Sequence, residues 1–147
     1  MSNPQAVITF SLTDEQLHFE IDGRAIEIKQ GLNFIIVQSV RFGRIDALAI
    51  ENMIYVIEEL LEQLKLDAHI QRTSQTADEY MQRLSTLFFD DAKNIDRVML
   101  EHAFNSCVER LEYYTAQAGD DFKLLAYFVL IREMMHHLNV VDMMILS

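Results

Sequence analysis

Cysteine, proline, glycine and positive charge are all scarce in this chain, and each scarcity excludes something. Cys107 is the only cysteine in 147 residues, so no intramolecular disulfide can form. That fits a reducing, cytoplasmic compartment. Pro4 is the only proline, and Gly23, Gly31, Gly43 and Gly119 are the only glycines, so hinges, low-complexity linkers and repeats are not expected. Twelve basic side chains face 23 acidic ones, for a formal net charge of −11. Such a field repels phosphate backbones and anionic lipid, which argues against nucleic-acid and membrane partners and favours a basic protein partner. The first residues carry no basic stretch followed by an apolar run, so a signal peptide is not expected. The most apolar stretch begins at Leu124 and is interrupted by Arg132, Glu133, His136 and His137. It falls short of the ~20 residues a bilayer span needs and reads as a buried helix.

What is present suits a folded domain. Half the residues are hydrophobic, and a chain of this size can bury roughly two thirds of its unfolded surface. We expect one domain over 1–147, β-rich over 6–42 and helical over 45–146. In fold class this is α+β: a small N-terminal antiparallel sheet followed by three or four packed helices.

The β-rich part rests on alternation. Phe10, Leu12, Leu17, Phe19, Ile21, Ile26 and Ile28 recur with the period of a pleated strand. Asp22-Gly23 sits between two such runs, a dipeptide that accepts positive φ and favours a hairpin turn. Strands are expected near 6–12, 16–21 and 25–29, with a turn at Thr13-Asp14-Glu15. Residues 32–42 are readable as a buried strand or a helix start. From Asp46 the period changes: Ile50, Met53, Ile57, Leu60 and Leu64 form a helical stripe, with glutamates lying away from it. Thr76-Ala77-Asp78-Glu79 has the letters of a capping box and predicts a helix through Phe88. Asp96 predicts another, with Val98, Met99, Ala103, Phe104, Cys107, Val108, Leu111 and Tyr114 on its apolar side. Gly119 suits its end, and Asp120 or Asp121 caps a last helix from Phe122 to Leu138. Residues 140–146 extend that helix or form a strand.

Motifs with chemistry are few. No phosphate-binding glycine loop, nucleophile elbow or zinc-type cysteine set is present, and no cofactor is implied. Glu133 and His136, three apart on a helix, resemble half of the Glu-x-x-His pairing that holds metals in helical bundles. With His102 they are the candidates for a metal. The competing reading makes Arg132, Glu133, His136 and His137 the one wet strip of a buried helix. Cys107 falls among apolar helical neighbours and reads as an inert, buried thiol. Asp90-Asp91 and Asp120-Asp121 lack the ligand spacing of a calcium loop and read as turns and caps.

In size and acidity the chain resembles bacterial immunity proteins and type III secretion chaperones, a likeness of composition only. The expectation that follows is a non-enzymatic, acidic interaction module of the adaptor, chaperone or immunity type. It would form a homodimer and bind a protein partner through an acidic-edged apolar surface. Glu58, Glu59 and Glu62 would steer the partner and Met143 and Met144 would line the contact. The alternatives are a helical metal-binding enzyme using Glu133 and His136, and a structural subunit of a larger assembly.

Overall fold

A computed structural model describes residues 6–146. The chain runs β1 (Ala6–Leu12), β2 (Leu17–Ile21), β3 (Arg24–Ile28), α1 (Leu32–Ser39), α2 (Ala47–Glu62) and β4 (Arg72–Thr76). It continues through α3 (Glu79–Phe88), β5 (Asn94–Asp96), α4 (Arg97–Glu109), α5 (Leu111–Gln117), α6 (Phe122–His137) and β6 (Val140–Ile145). The α+β class is as expected. The sheet, however, is six-stranded and mixed, in the order β3-β2-β1-β4-β6-β5, and draws on the whole chain rather than its beginning. Among the described residues six helices replace the three or four expected.

β1, β2 and β3 form an antiparallel meander with Phe10 opposite Phe19 and Phe19 opposite Ile26. Asp22 and Gly23 both take positive φ at the second turn, as the dipeptide suggested. β4 then pairs parallel with β1, and β6 parallel with β4; β5 closes the far edge antiparallel to β6. Parallel neighbours need long crossovers. Here α1 and α2 make the first and α3 to α6 the second, which is why the helices and strands alternate after residue 30. Ile8, Phe10, Leu12, Leu17, Phe19 and Ile21 are buried, whereas Val7, Glu20 and the half-exposed Thr9, Ser11 and His18 occupy the opposite face.

α2 buries Ile50, Met53, Ile57, Leu60 and, just past its end, Leu64, the stripe read from the sequence. Its N-cap Asp46 accepts a hydrogen bond from the Ala49 amide. α6 is buried from Leu124 through Ile131 and again from Glu133 through Met135. It packs on α1, α2, α3, α4 and β6. The chain's own elements therefore cover α6, the helix that is apolar on every side, while Val37, Leu48, Tyr55 and Val98 on other helices stay exposed. No helix among the described residues is long and apolar enough to cross a membrane.

Two open readings are decided and two others are corrected. Residues 32–39 are helical, and 140–145 form a strand. Thr76 ends β4 rather than opening a capping box: its hydroxyl donates to the Phe10 carbonyl and accepts the Asp78 amide. The expected third helix breaks at Arg110, so Leu111 and Tyr114 belong to α5. Within α4 the buried stripe is Leu100, Ala103, Phe104 and Cys107, while Val98 is 79% exposed. Asp96 and Asp121 do cap α4 and α6.

Candidate functional site

Parallel pairing of β1 and β4 brings two loops side by side at the carboxyl ends of their strands. In open sheets of this kind, ligands bind in that crevice. Here it measures about 460 Å³ and is lined by Leu12, Thr13, Asp14, Glu15, Asp78, Glu79, Tyr80 and Arg83. The β1–β2 turn forms one wall. The first amides of α1 hold it, Leu32 N donating to Thr13 O and Asn33 N to Asp14 O, both at 3.0 Å. Such close packing requires glycine at position 31. A Cβ there would lie 2.7 Å from Asp14 O and would also clash with Thr13 O and Gln16 N.

The start of α3 forms the other wall. Asp78 Oδ2 accepts from the Leu12 amide and from the Tyr127 hydroxyl, each at 2.9 Å, and so ties β4, β1 and α6 together. Tyr127 is fully buried; burial first, then the Asp78 charge, hold its phenol well above its ordinary pKa. Asp14 is contacted twice: Tyr80 donates to its Oδ1 at 3.1 Å and Lys123 Nζ sits 2.8 Å from its Oδ2. Burial, then the hydrogen bond to Asp14, push Tyr80 up to about 12. Its own hydrogen bond to Asp14 raises Lys123. Arg83 is occupied by Asp121 at 2.8 Å. Four carboxylates and one guanidinium thus line the crevice, with a lysine at its back.

None of the residues singled out from the sequence lies in this crevice. By sequence Asp14 falls in a turn, and Asp78 falls inside the Thr76-Ala77-Asp78-Glu79 run, where Thr76 and Glu79 are the expected capping pair. The available signal was a polar turn directly after β1, but its meaning depends on β4, a strand the sequence did not disclose.

The sequence-derived candidates lie at the opposite end of α6 or elsewhere. Glu133 and His136 are not brought together. His136 Nε2 approaches Glu101 Oε2 at 3.1 Å. Glu133 is 2% exposed and pairs with Arg132 at 3.0 Å and with His137 at 3.3 Å. The wet strip is therefore wrong at Glu133, which is core. Arg132 forks onto both oxygens of Glu101, at 3.0 and 3.1 Å, and lies over the Phe104 ring. The Arg132 hydrogen bond, then that from His136, hold Glu101 below its ordinary pKa against partial burial. His102 stands exposed on α4 and is not part of this cluster. Glu58 meets His137 at 3.3 Å, whereas Glu59 and Glu62 are exposed on α2. Met143 is wholly buried and only Met144 reaches the surface, so the expected methionine contact is split across the two faces of β6. Cys107 is buried, which raises its thiol to about 11.

No protein-family model matches the chain, and no curated protein sequence does either. Solved structures do. The Ppx/GppA enzyme of Aquifex aeolicus matches with a TM-score of 0.73 at 10% identity, over 97% of this chain and 54% of that one. A second structure of the Aquifex aeolicus family member gives 0.68 at 10%, over 97% and 52%. The type II variant of its Ppx/GppA phosphatase structure gives 0.70 at 11%, over 97% and 53%. The chain is similar in fold to these enzymes and spans about half their length. That finding overturns the expectation of a non-enzymatic adaptor, chaperone or immunity module, since the frame this sequence adopts is one that phosphatases use.

Proposed function

We propose that this chain is a phosphoryl-handling enzyme domain with its site in the crevice at the carboxyl ends of β1 and β4. The observation that carries the reading is the fold: nearly the whole chain superposes on a Ppx/GppA phosphatase, and the crevice occupies the place where such sheets bind ligands. The chemistry present is compatible with it. A carboxylate can position or deprotonate an attacking water, and cations can neutralise charge developing on the phosphoryl oxygens. Asp14 takes the first role and Lys123 and Arg83 the second. Four carboxylates would repel a bare phosphate, so a divalent cation between them and the substrate completes the arrangement. The lone, buried Cys107 agrees with a reducing, cytoplasmic setting for this activity.

The test is phosphate release from a phosphate monoester and from inorganic polyphosphate, with magnesium or manganese, alongside calorimetric binding of pyrophosphate. Magnesium-dependent release that falls about a hundredfold in Asp14→Asn supports the reading. Neither binding nor release at any divalent concentration overturns it.

A further inference from the structure

The carboxyl end of α6 holds a second polar constellation, about 21 Å along the helix from Lys123 at 1.5 Å per residue. Glu133 and His137 are one turn apart on α6, and Glu58 faces them from α2. One ligand atom from each lies within 4.8 Å of the other two. His137 Nε2 is 3.3 Å from Glu58 Oε1 and 3.3 Å from Glu133 Oε1. Charge-assisted hydrogen bonds are shorter, about 2.7–2.9 Å. Both His137 contacts are longer than that and longer than the 3.1 Å between the neighbouring His136 and Glu101. The two spacings instead match edges of a metal-ligand tetrahedron, and the third pair of oxygens lies within 4.8 Å. Zinc takes nitrogen and oxygen ligands at roughly 2.0–2.2 Å, which sets ligand atoms about 3.3–3.5 Å apart.

The surroundings support a cation there. Glu133 is buried and already paired with Arg132 through one oxygen, so its second oxygen is the one free to hold a cation. Arg132 takes its Oε2 and leaves Oε1 turned to His137 and Glu58. Arg132 is itself clamped by Glu101, so the Glu133 carboxylate is held in place from behind, as the ligands of metal sites commonly are. In front lies a recess of about 210 Å³ walled by Glu58, Glu62, Lys65 and His137, through which an ion and a water could enter.

We propose that Glu58, Glu133 and His137 form a zinc-type divalent-metal site with three protein ligands and a fourth position open to the recess. It clamps the end of α2 to the end of α6 and is separate from the crevice. The test is calorimetric titration of chelator-stripped full-length protein with zinc, paired with the visible spectrum of the cobalt-loaded form and thermal melts. One equivalent of zinc should bind, cobalt should give a tetrahedral-type spectrum, and Tm should rise by about 5 °C or more at a hundredfold excess over Kd. His137→Ala and Glu58→Gln should lose all three effects, and His136→Ala should keep them. Absence of binding to the wild type, or binding that survives His137→Ala, overturns the proposal. So does loss of binding in His136→Ala.

Discussion

At the amino end of α6, Lys123 and the capping Asp121 reach Asp14 and Arg83 across partly open ground: the Lys123 and Asp14 side chains are 39% and 37% exposed. At the carboxyl end, the Arg132 and Glu133 side chains are 19% and 3% exposed and interlock with Glu101, Glu58, His136 and His137. Between these ends the helix is apolar on every side. One helix therefore carries two polar groups with different physics. The first is screened by water and can exchange partners with a ligand. The second is built on the desolvated Arg132 and Glu133, whose charges depend on each other and on their more exposed neighbours for compensation. Ion pairs alike on paper have unlike consequences here, and the distinction turns on exposure rather than distance.

The largest effect should come from breaking the buried end. Arg132→Met strips the cation from Glu101 and Glu133 together. Leaving a buried charge uncompensated costs about 3 kcal/mol or more, readable as a lower midpoint in urea unfolding. A loss under about 1 kcal/mol would mean that His137, or a metal beside it, already compensates Glu133, and the contrast between the two ends would shrink. Adding zinc to that variant would tell the two explanations apart.

Gly31→Ala probes what stiffens the other end. The crevice wall is backbone packed on backbone, so the added methyl can be accommodated only by moving the β1–β2 turn or α1. Overpacking of this kind costs about 2 kcal/mol, and chemical denaturation would measure it. If Gly31→Ala is tolerated without loss, the crevice is a compliant loop and its shape is not set by the fold.

Much of this was legible beforehand and some was not, for identifiable reasons. The meander was readable because one face is buried and the other wet, so alternation is clean from Ile8 to Ile21. The stripe of α2 and the buried character of α6 were readable for the same reason at helical period. β4 was not. Arg72-Thr73-Ser74-Gln75-Thr76 sits mid-sheet, where strands usually read as apolar. Its buried hydroxyls and one guanidinium nitrogen are instead satisfied by carbonyls: Ser74 donates to Asp142 O, Thr76 to Phe10 O, and Arg72 Nη1 to Asp67, Ile70 and Leu138, while Arg72 Nε is left without a partner among the described residues. Missing β4 hid the crevice, because only its parallel pairing with β1 sets Asp78 beside the turn at Asp14. At the far end, sequence spacing pointed to Glu133 with His136. The structure joins Glu133 to His137 instead, since i,i+4 neighbours also share a helix face.

Acid sharpens the comparison further. Glu101 has a folded pKa below its ordinary 4.5 because Arg132 and His136 favour the carboxylate. A group depressed on folding stabilises the native state above its unfolded pKa, and that contribution disappears as pH falls through the folded value. Melts recorded downward from pH 5 should therefore fall more steeply for the wild type than for Glu101→Gln. At the other end the sign reverses. Lys123 and Tyr80 are raised, Tyr80 to about 12, so what they contribute is intact below 10 and fades only in strong alkali. Coincident acid profiles for wild type and Glu101→Gln would remove Glu101 from the account.

Lys123→Met should have the smallest effect on stability and is informative for that reason. Its ion pair with Asp14 is more than a third exposed on each side, a setting in which water and salt replace most of what the contact supplies. Tm should stay within about 2 °C of wild type. Pyrophosphate binding should nevertheless weaken by about tenfold or more if the crevice handles phosphoryl groups, because a bound anion draws on the same ammonium group in a drier setting. A variant that melts like the wild type and binds like it would detach Lys123 from the site and leave Arg83 as the crevice's cation. A variant that melts well below the wild type would show that the open end of α6 bears structural weight after all, and that exposure alone does not separate the two ends.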